Sequence, residues 1–262
     1  MSVYCNGRLA TADELAGALV NYGHFTSLQV RNGAVQGLDL HLRRLRQGTE
    51  ALFGSALDGS RVQAWMQAAL QSEGVADASL RVTVFSRAFD FRQPLQPVPV
   101  DVLVAVAPPA SVPMLPRRVC SVPYQRELPH LKHVGTFALF QHRRQALQAG
   151  FDDALFVDAQ GRVSEGTTWN VAFARNGEVV WPQAPALRGT HERLLQAGWG
   201  GSPTLAPVAL EQLGGFDAAI GLNAAGVWPI TSVDGYVFAG SEELCERAME
   251  VLAATPWEPV SS

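Results

Sequence analysis

Residues 130–170 read HLKHVGTFALFQHRRQALQAGFDDALFVDAQGRVSEGTTWN, and this stretch decides the fold. Lys132 is the lone lysine among the 20 Lys and Arg residues of the chain. Arginine stays protonated, whereas the pKa of a lysine can be shifted until the amine becomes a nucleophile. A single amine in an arginine-rich chain therefore points to a chemical role, weighed against the plain alternative that one lysine has to sit somewhere. Downstream, Thr136–Ala149 reads as a helix ended by Gly150, Ala154–Val157 as a strand, and Asp158-Ala159-Gln160-Gly161 as a turn into Arg162-Val163.

The pattern extends outward on both sides. Upstream, Asn6-Gly7 and Asn32-Gly33 sit between strand-like runs and predict hairpin turns, because Asn and Gly tolerate positive φ. Asp39 is placed to cap a helix over 40–53, with Leu42, Leu45, Leu52 and Phe53 as its apolar stripe. A second helix is expected over 61–71 and ends at Gly74; 80–85 and 100–106 read as strands. Pro108, Pro109, Pro113 and Pro116 break the pattern, since proline donates to no ladder. The expected division is a small α/β domain over 1–108, a proline-rich linker over 109–118, and a larger α/β domain over 119–262. In the second half, 119–124 and 218–222 read as strands, 169–174 and 179–181 as a hairpin around Asn176-Gly177, and 192–197 and 242–253 as helices. Two mixed α/β domains fit this alternation.

Composition narrows the function classes. Twenty basic against 24 acidic residues leave a formal charge of −4, without the basic excess of a non-specific nucleic-acid binder. At 47% hydrophobic and 17% charged, the chain has a globular rather than a disordered composition. Cys5, Cys120 and Cys245 are odd in number and widely spaced, so neither a disulfide framework nor a Cys-x-x-Cys site is expected. The opening MSVYCNGRLATADE lacks a basic start followed by an apolar run, and no stretch approaches 18 apolar residues. A cytoplasmic protein with no membrane or nucleic-acid partner is expected. Gly-x-Gly-x-x-Gly and phosphate-loop motifs are missing, and His191-Glu192 lacks the second histidine of a zinc-protease motif. His130 and His133 have no obvious third ligand nearby in sequence, so no metal site is expected.

The ordered phrases Tyr22-Gly23-His24-Phe25-Thr26, His41-Leu42-Arg43-Arg44-Leu45, Leu131-Lys132-His133, Ala149–Ala154, and Gly161-Arg162-Val163-Ser164-Glu165 with Asn170 span roughly 20–235. Together they resemble the class IV aminotransferases, the pyridoxal-phosphate enzymes of fold type IV. That family includes branched-chain and D-amino-acid aminotransferases and 4-amino-4-deoxychorismate lyase. The resemblance implies two α/β domains with the cofactor site between them, and a homodimer. It implies a Schiff base between Lys132 and pyridoxal 5′-phosphate, with Glu165 facing the pyridine nitrogen. Arg44 takes the place of the family's phosphate-binding arginine, with Arg43 and Arg46 as competitors. Gly189-Thr190 stands where the family has its helix-start phosphate turn, altered here to Gly189-Thr190-His191. Asn223-Ala224 resembles the second phosphate-side loop, and Asn170 accompanies Glu165 in the cofactor motif.

Substrate candidates are His24, Thr26, Arg87 and His133. The leading expectation is amino transfer from a primary amino compound to a 2-oxo acid. The alternatives are 4-amino-4-deoxychorismate lyase, suggested by Phe25-Thr26-Ser27 and by the Arg126–His133 approach to the lysine, and a catalytically inactive binding module. Gly135 replaces the asparagine often found three residues after the lysine. Arg87 is followed two places on by Phe89, so the Arg-x-His trap of D-amino-acid enzymes is missing.

Overall fold

The structure, a computed structural model, describes residues 1–111 and 113–261; Val112, within the proline-rich stretch, and Ser262 lie outside the described residues. It is a mixed α+β fold of two units. One comprises Met1–Ala110, Leu131–Gly135 and Pro256–Ser262, the other Ser111–His130 and Thr136–Thr255.

The first unit contains β1 (Ser2–Cys5), β2 (Arg8–Leu9), α1 (Ala12–Ala18), β3 (Gly23–Val30), β4 (Ala34–Gln36), α2 (Leu38–Phe53), α3 (Gly59–Glu73), β5 (Ala78–Phe85) and β6 (Asp101–Ala107). Its antiparallel sheet runs β2-β1-β6-β5-β3. Side chains alternate across a strand, so Leu28, Val30, Leu80, Val82 and Val84 share one face. They pack there with Leu42, Leu45 and Phe53 of α2 and with Val62 and Met66 of α3. Leu45 is fully buried, and truncating such a leucine to alanine costs about 2–5 kcal/mol. Phe25, Ser27, Arg81 and Thr83 occupy the opposite face, with Phe25 paired to Thr83 and Ser27 to Arg81.

The start of α2 differs from its sequence reading. The helix begins at Leu38, after Gly37 in the left-handed region at φ 65°, and the Leu38 N–H donates to Glu258 Oε1 at 3.1 Å. Asp39 lies inside the first turn and pairs with Arg43 at 2.8 Å, so the cap comes from a carboxylate 220 residues away in sequence.

The second unit contains β7 (Arg117–Pro123), α4 (Phe137–Gln148), β8 (Asp153–Val157), β9 (Val163–Gly166), β10 (Asn170–Arg175), β11 (Glu178–Pro182), α5 (Thr190–Gly198), β12 (Thr204–Ala206), β13 (Ala218–Asn223), β14 (Gly226–Val233), β15 (Tyr236–Val237) and α6 (Ser241–Ala253). Its sheet runs β12-β11-β10-β13-β14-β7-β8-β9, with β15 on β14. The β7–β8 and β14–β7 pairs are parallel. Trp169, Phe173, Trp228 and Phe238 fill one core, and Trp181, Ile220, Leu195 and Ala248 another. β16 (Trp257–Pro259) belongs to the first unit and pairs with β4. Among the described residues no helix is long and apolar enough to cross a membrane.

Candidate functional site

In the first unit, the Leu131–Gly135 segment lies along β3. The Phe25 N–H donates to the Lys132 carbonyl at 2.9 Å and the Val134 N–H to the Gly23 carbonyl at 2.9 Å, around an antiparallel bridge between His24 and His133. This backbone pairing places Lys132 and fixes its position along the strand. Its Nζ stands 5.0 Å from the centre of the Phe25 ring. The guanidinium of Arg81 stacks on the same ring, with Cζ at 3.5 Å. Desolvation pushes the Arg81 pKa down from its ordinary value. Among the described residues no carboxylate pairs with Arg81.

The neighbours of Phe25 face the other way. His24, 1% exposed, meets Thr49 Oγ1 through Nε2 at 3.1 Å, while its Nδ1 is buried without a partner. Burial lowers its pKa to about 4, so it is neutral near pH 7. Thr26 Oγ1 lies 2.7 Å from His41 Nδ1. The side chains of His24 and Thr26 are thus spent on α2, on the opposite face from Lys132. Arg87 forks onto Asp101 at 2.9 and 3.1 Å, and Asp101 also accepts from Asn6. Arg44 is half-buried on α2; its competitor Arg43 is committed to Asp39, and Arg46 is exposed.

In the second unit, β9 and β10 present Glu165 and Asn170 to one loop residue. Leu187 donates its N–H to Glu165 Oε1 at 3.1 Å, and its carbonyl accepts from Asn170 Nδ2 at 2.7 Å. Both carboxylate and amide are buried, and they fix the chain just before α5. Arg188 continues the clamp, donating to Glu192 Oε1 at 2.9 Å and to the carbonyls of Pro182 and Ala184. Glu192 also accepts the Gly189 N–H at 3.1 Å. Burial pushes the Glu192 carboxyl up, and Arg188 works against that.

Gly189 is therefore the residue at which α5 starts, and a Cβ on it would run into Asn170 Oδ1. The first helical residue, Thr190, is 3% exposed, and its Oγ1 has no hydrogen-bond partner. His191 Nδ1 is likewise buried without one, and burial lowers its pKa to about 4 against a backbone hydrogen bond with Asn223. A rigid helix start with free N–H groups and an orphaned buried hydroxyl suits an oxyanion. Asn223 ends β13, its Oδ1 accepting the Ala225 N–H at 2.9 Å; Ala224 lies in the turn to β14. His130 and His133 belong to no group of three metal-ligating side chains among the described residues.

Three residues of this geometry carry no site role in the sequence reading: Arg81, Arg126 and His191. Alternation gives a signal for Arg81, since Leu80, Val82 and Val84 put it on the face away from the core. Arg126, whose Nε lies 3.3 Å from Glu165 Oε1, follows β7 in a segment without a periodic pattern, and Glu165 is 39 positions on. His191 stands inside the altered turn but has no partner visible in sequence.

Residues 23–233 match the sequence profile of the family described as amino-transferase class IV. Over 118 residues the chain is 30% identical to "Probable branched-chain-amino-acid aminotransferase" of Synechocystis sp. (strain ATCC 27184 / PCC 6803 / Kazusa). That match covers 43% of this chain and 39% of the relative, well under two thirds of the relative's length. The branched-chain aminotransferase of Thermoproteus uzoniensis, solved with norvaline, superposes with a TM-score of 0.81 at 21% identity, covering 96% of this chain and 93% of that one. A provisionally designated 4-amino-4-deoxychorismate lyase of Legionella pneumophila subsp. pneumophila str. Philadelphia 1 gives a TM-score of 0.79 at 19% identity, covering 90% and 92%. At these identities the two structures establish the shared fold.

Proposed function

Because the chain belongs to the class IV aminotransferase family, of pyridoxal-phosphate fold type IV, we propose that it transfers an amino group from a primary amino compound to a 2-oxo acid. One observation carries this reading. A single ring, Phe25, bears both the lone amine of Lys132 and the guanidinium of Arg81, which no carboxylate of the described residues pairs with. An amino or 2-oxo acid presents a reacting carbon next to a carboxylate. An amine beside an anion-binding arginine matches that chemistry.

The residues also suit the cofactor. Thr190 Oγ1 and the first N–H groups of α5 would take its phosphate, with Arg44 and the Asn223-Ala224 turn as further donors. Glu165 would face its ring nitrogen and hold a proton there. Lys132 Nζ would hold the aldehyde end, then accept and return the substrate proton once the incoming amine has displaced it. When bound, pyridoxal phosphate supplies the electron sink for the substrate carbanion. Asn170 acts on the backbone, fixing Leu187 and so the start of α5. Gly189 gives the phosphate turn its close backbone approach, because a side chain there would strike Asn170.

The test is the visible absorption of protein reconstituted with pyridoxal phosphate, before and after adding pooled amino acids without a 2-oxo acid. Transamination predicts a band that Lys132→Ala abolishes. It also predicts conversion by the amino donor to the pyridoxamine spectrum, reversed by a 2-oxo acid. A band that no amino acid converts, with pyruvate released from 4-amino-4-deoxychorismate, would replace the proposal with the lyase. No band at all in folded protein would sink the enzymatic reading.

A further inference from the structure

Arg126 and Glu165 form an ion pair almost completely withdrawn from water. Their side chains are 4% and 5% exposed, with Arg126 Nε 3.3 Å from Glu165 Oε1. We propose that Arg126 is a positioning residue, which holds the Glu165 carboxylate ionised and in place and, by sharing its charge, sets how firmly Glu165 keeps a proton on a pyridine nitrogen. The proposal rests on the cofactor reading above for its second half; the first half stands on the ion pair alone.

A carboxylate buried this deeply takes up a proton unless a cation compensates it. Arg126 is a cation in contact with it, and it cannot lose its own proton as a lysine could. The contact has an unusual character. Arg126 Nε and Nη1 are buried without a hydrogen-bond partner, so the guanidinium meets Glu165 through charge rather than as an aligned fork. The hydrogen bond at Oε1 comes instead from the Leu187 N–H at 3.1 Å. Arg126 therefore neutralises the carboxylate without taking that oxygen's hydrogen-bond direction. Tyr124 and Glu127 stand within electrostatic reach of the pair. Burial raises the Tyr124 phenol, the charges of Glu127 and Glu165 add to the rise, and Arg126 opposes it.

Competition follows from this arrangement. A carboxylate that faces a guanidinium is the weaker base, so it leaves a shared proton on the ring nitrogen. Removing Arg126 should make Glu165 protonate in the ligand-free protein and draw the shared proton away from the ring nitrogen in the loaded one.

Two measurements test this, each on wild type, Arg126→Lys, Arg126→Met and the Arg126→Met/Glu165→Gln double variant. The first is thermal unfolding of ligand-free protein from pH 5 to 8. With Arg126→Met the folded pKa of Glu165 lies above its unfolded value, so stability is full at low pH and lost as pH rises. The variant's Tm should fall by about 5 °C or more relative to wild type across that window. Adding Glu165→Gln should flatten the difference, and Arg126→Lys, which keeps a cation, should track wild type. An Arg126→Met curve parallel to wild type would overturn the charge-holding role. Should Arg126→Met fail to fold, Arg126→Gln, which also lacks the charge, carries the same comparison.

The second measurement is the 15N resonance of ring-labelled pyridoxal phosphate bound near pH 7.5. Arg126→Met should move it toward the unprotonated ring, with Arg126→Lys close to wild type. Pyridoxal phosphate bound with an unchanged ring resonance would overturn the positioning role while leaving the cofactor reading intact. Wild type that binds no pyridoxal phosphate would overturn the cofactor reading and with it the ring-nitrogen half of this proposal.

Discussion

His24 makes a prediction whose size follows from its surroundings. The imidazole is 1% exposed, bonded through Nε2 to Thr49 and pressed against Gly48, where an added Cβ would lie 2.6 Å from Nδ1. Among the described residues no acid compensates it, and burial holds its pKa at about 4, against 6.5 in the unfolded chain. A group with a depressed folded pKa binds protons more readily when unfolded. Its neutral form therefore contributes nothing to pH dependence above about pH 7, and stability is lost as pH falls from 6.5 toward 4. At 1.36 kcal/mol per unit the loss is about 3 kcal/mol, a large share of a typical domain's stability. Urea unfolding of wild type and His24→Gln between pH 7.5 and 4 isolates the term, because carboxylates titrating in the same range cancel in the difference. Glutamine retains a donor for Thr49 and has nothing to titrate. The wild-type advantage should be level above pH 7 and shrink by about 3 kcal/mol by pH 4. A difference that stays constant across the range would show that His24 accepts its proton in the folded state, and the account of a sealed imidazole would be wrong.

Other residues give shorter tests. Arg81→Gln should raise the KM for a 2-oxo acid about 10- to 100-fold while leaving the absorption band of the bound cofactor in place; an unchanged KM would remove Arg81 from the substrate's carboxylate. Thr190→Val should lower the preference for pyridoxal phosphate over pyridoxal by about 3- to 10-fold in equilibrium binding, since only the phosphorylated compound uses the hydroxyl. Gly48→Ala should destabilise the first unit by about 1–3 kcal/mol in urea unfolding, because the new methyl meets a ring held by Thr49.

What the sequence revealed, and what it hid, follows the reach of each interaction. The turns at Asn6-Gly7 and Asn32-Gly33 are readable because both residues of each pair sit at positive φ, a local demand that Asn and Gly meet. The end of α4 at Gly150, at φ 84°, is readable for the same reason. The start of α2 is not, because its cap is Glu258 and Asp39 offers a plausible local substitute. Residues 226–233 carry no element in the sequence reading, since Gly226 and Pro229 interrupt the apolar run; pairing to β13 and β7 makes them the strand β14.

The candidate site shows the same division within one strand. His24, Phe25 and Thr26 are consecutive, and a sequence offers all three to a substrate. Once α2 covers one face of β3, alternation sends His24 and Thr26 to Thr49 and His41 and leaves Phe25 facing Lys132. The same step separates the two arginines near β5. Arg87, past the strand's end, is captured by Asp101 of β6, whereas Arg81, inside it, projects beside Phe25. Spacing alone ranks neither arginine above the other. The decision belongs to the sheet, through which strand neighbours each charge and which face the helices leave uncovered. A carboxylate next door turns an arginine into a structural tie, and an aromatic ring next door leaves its charge available to a ligand.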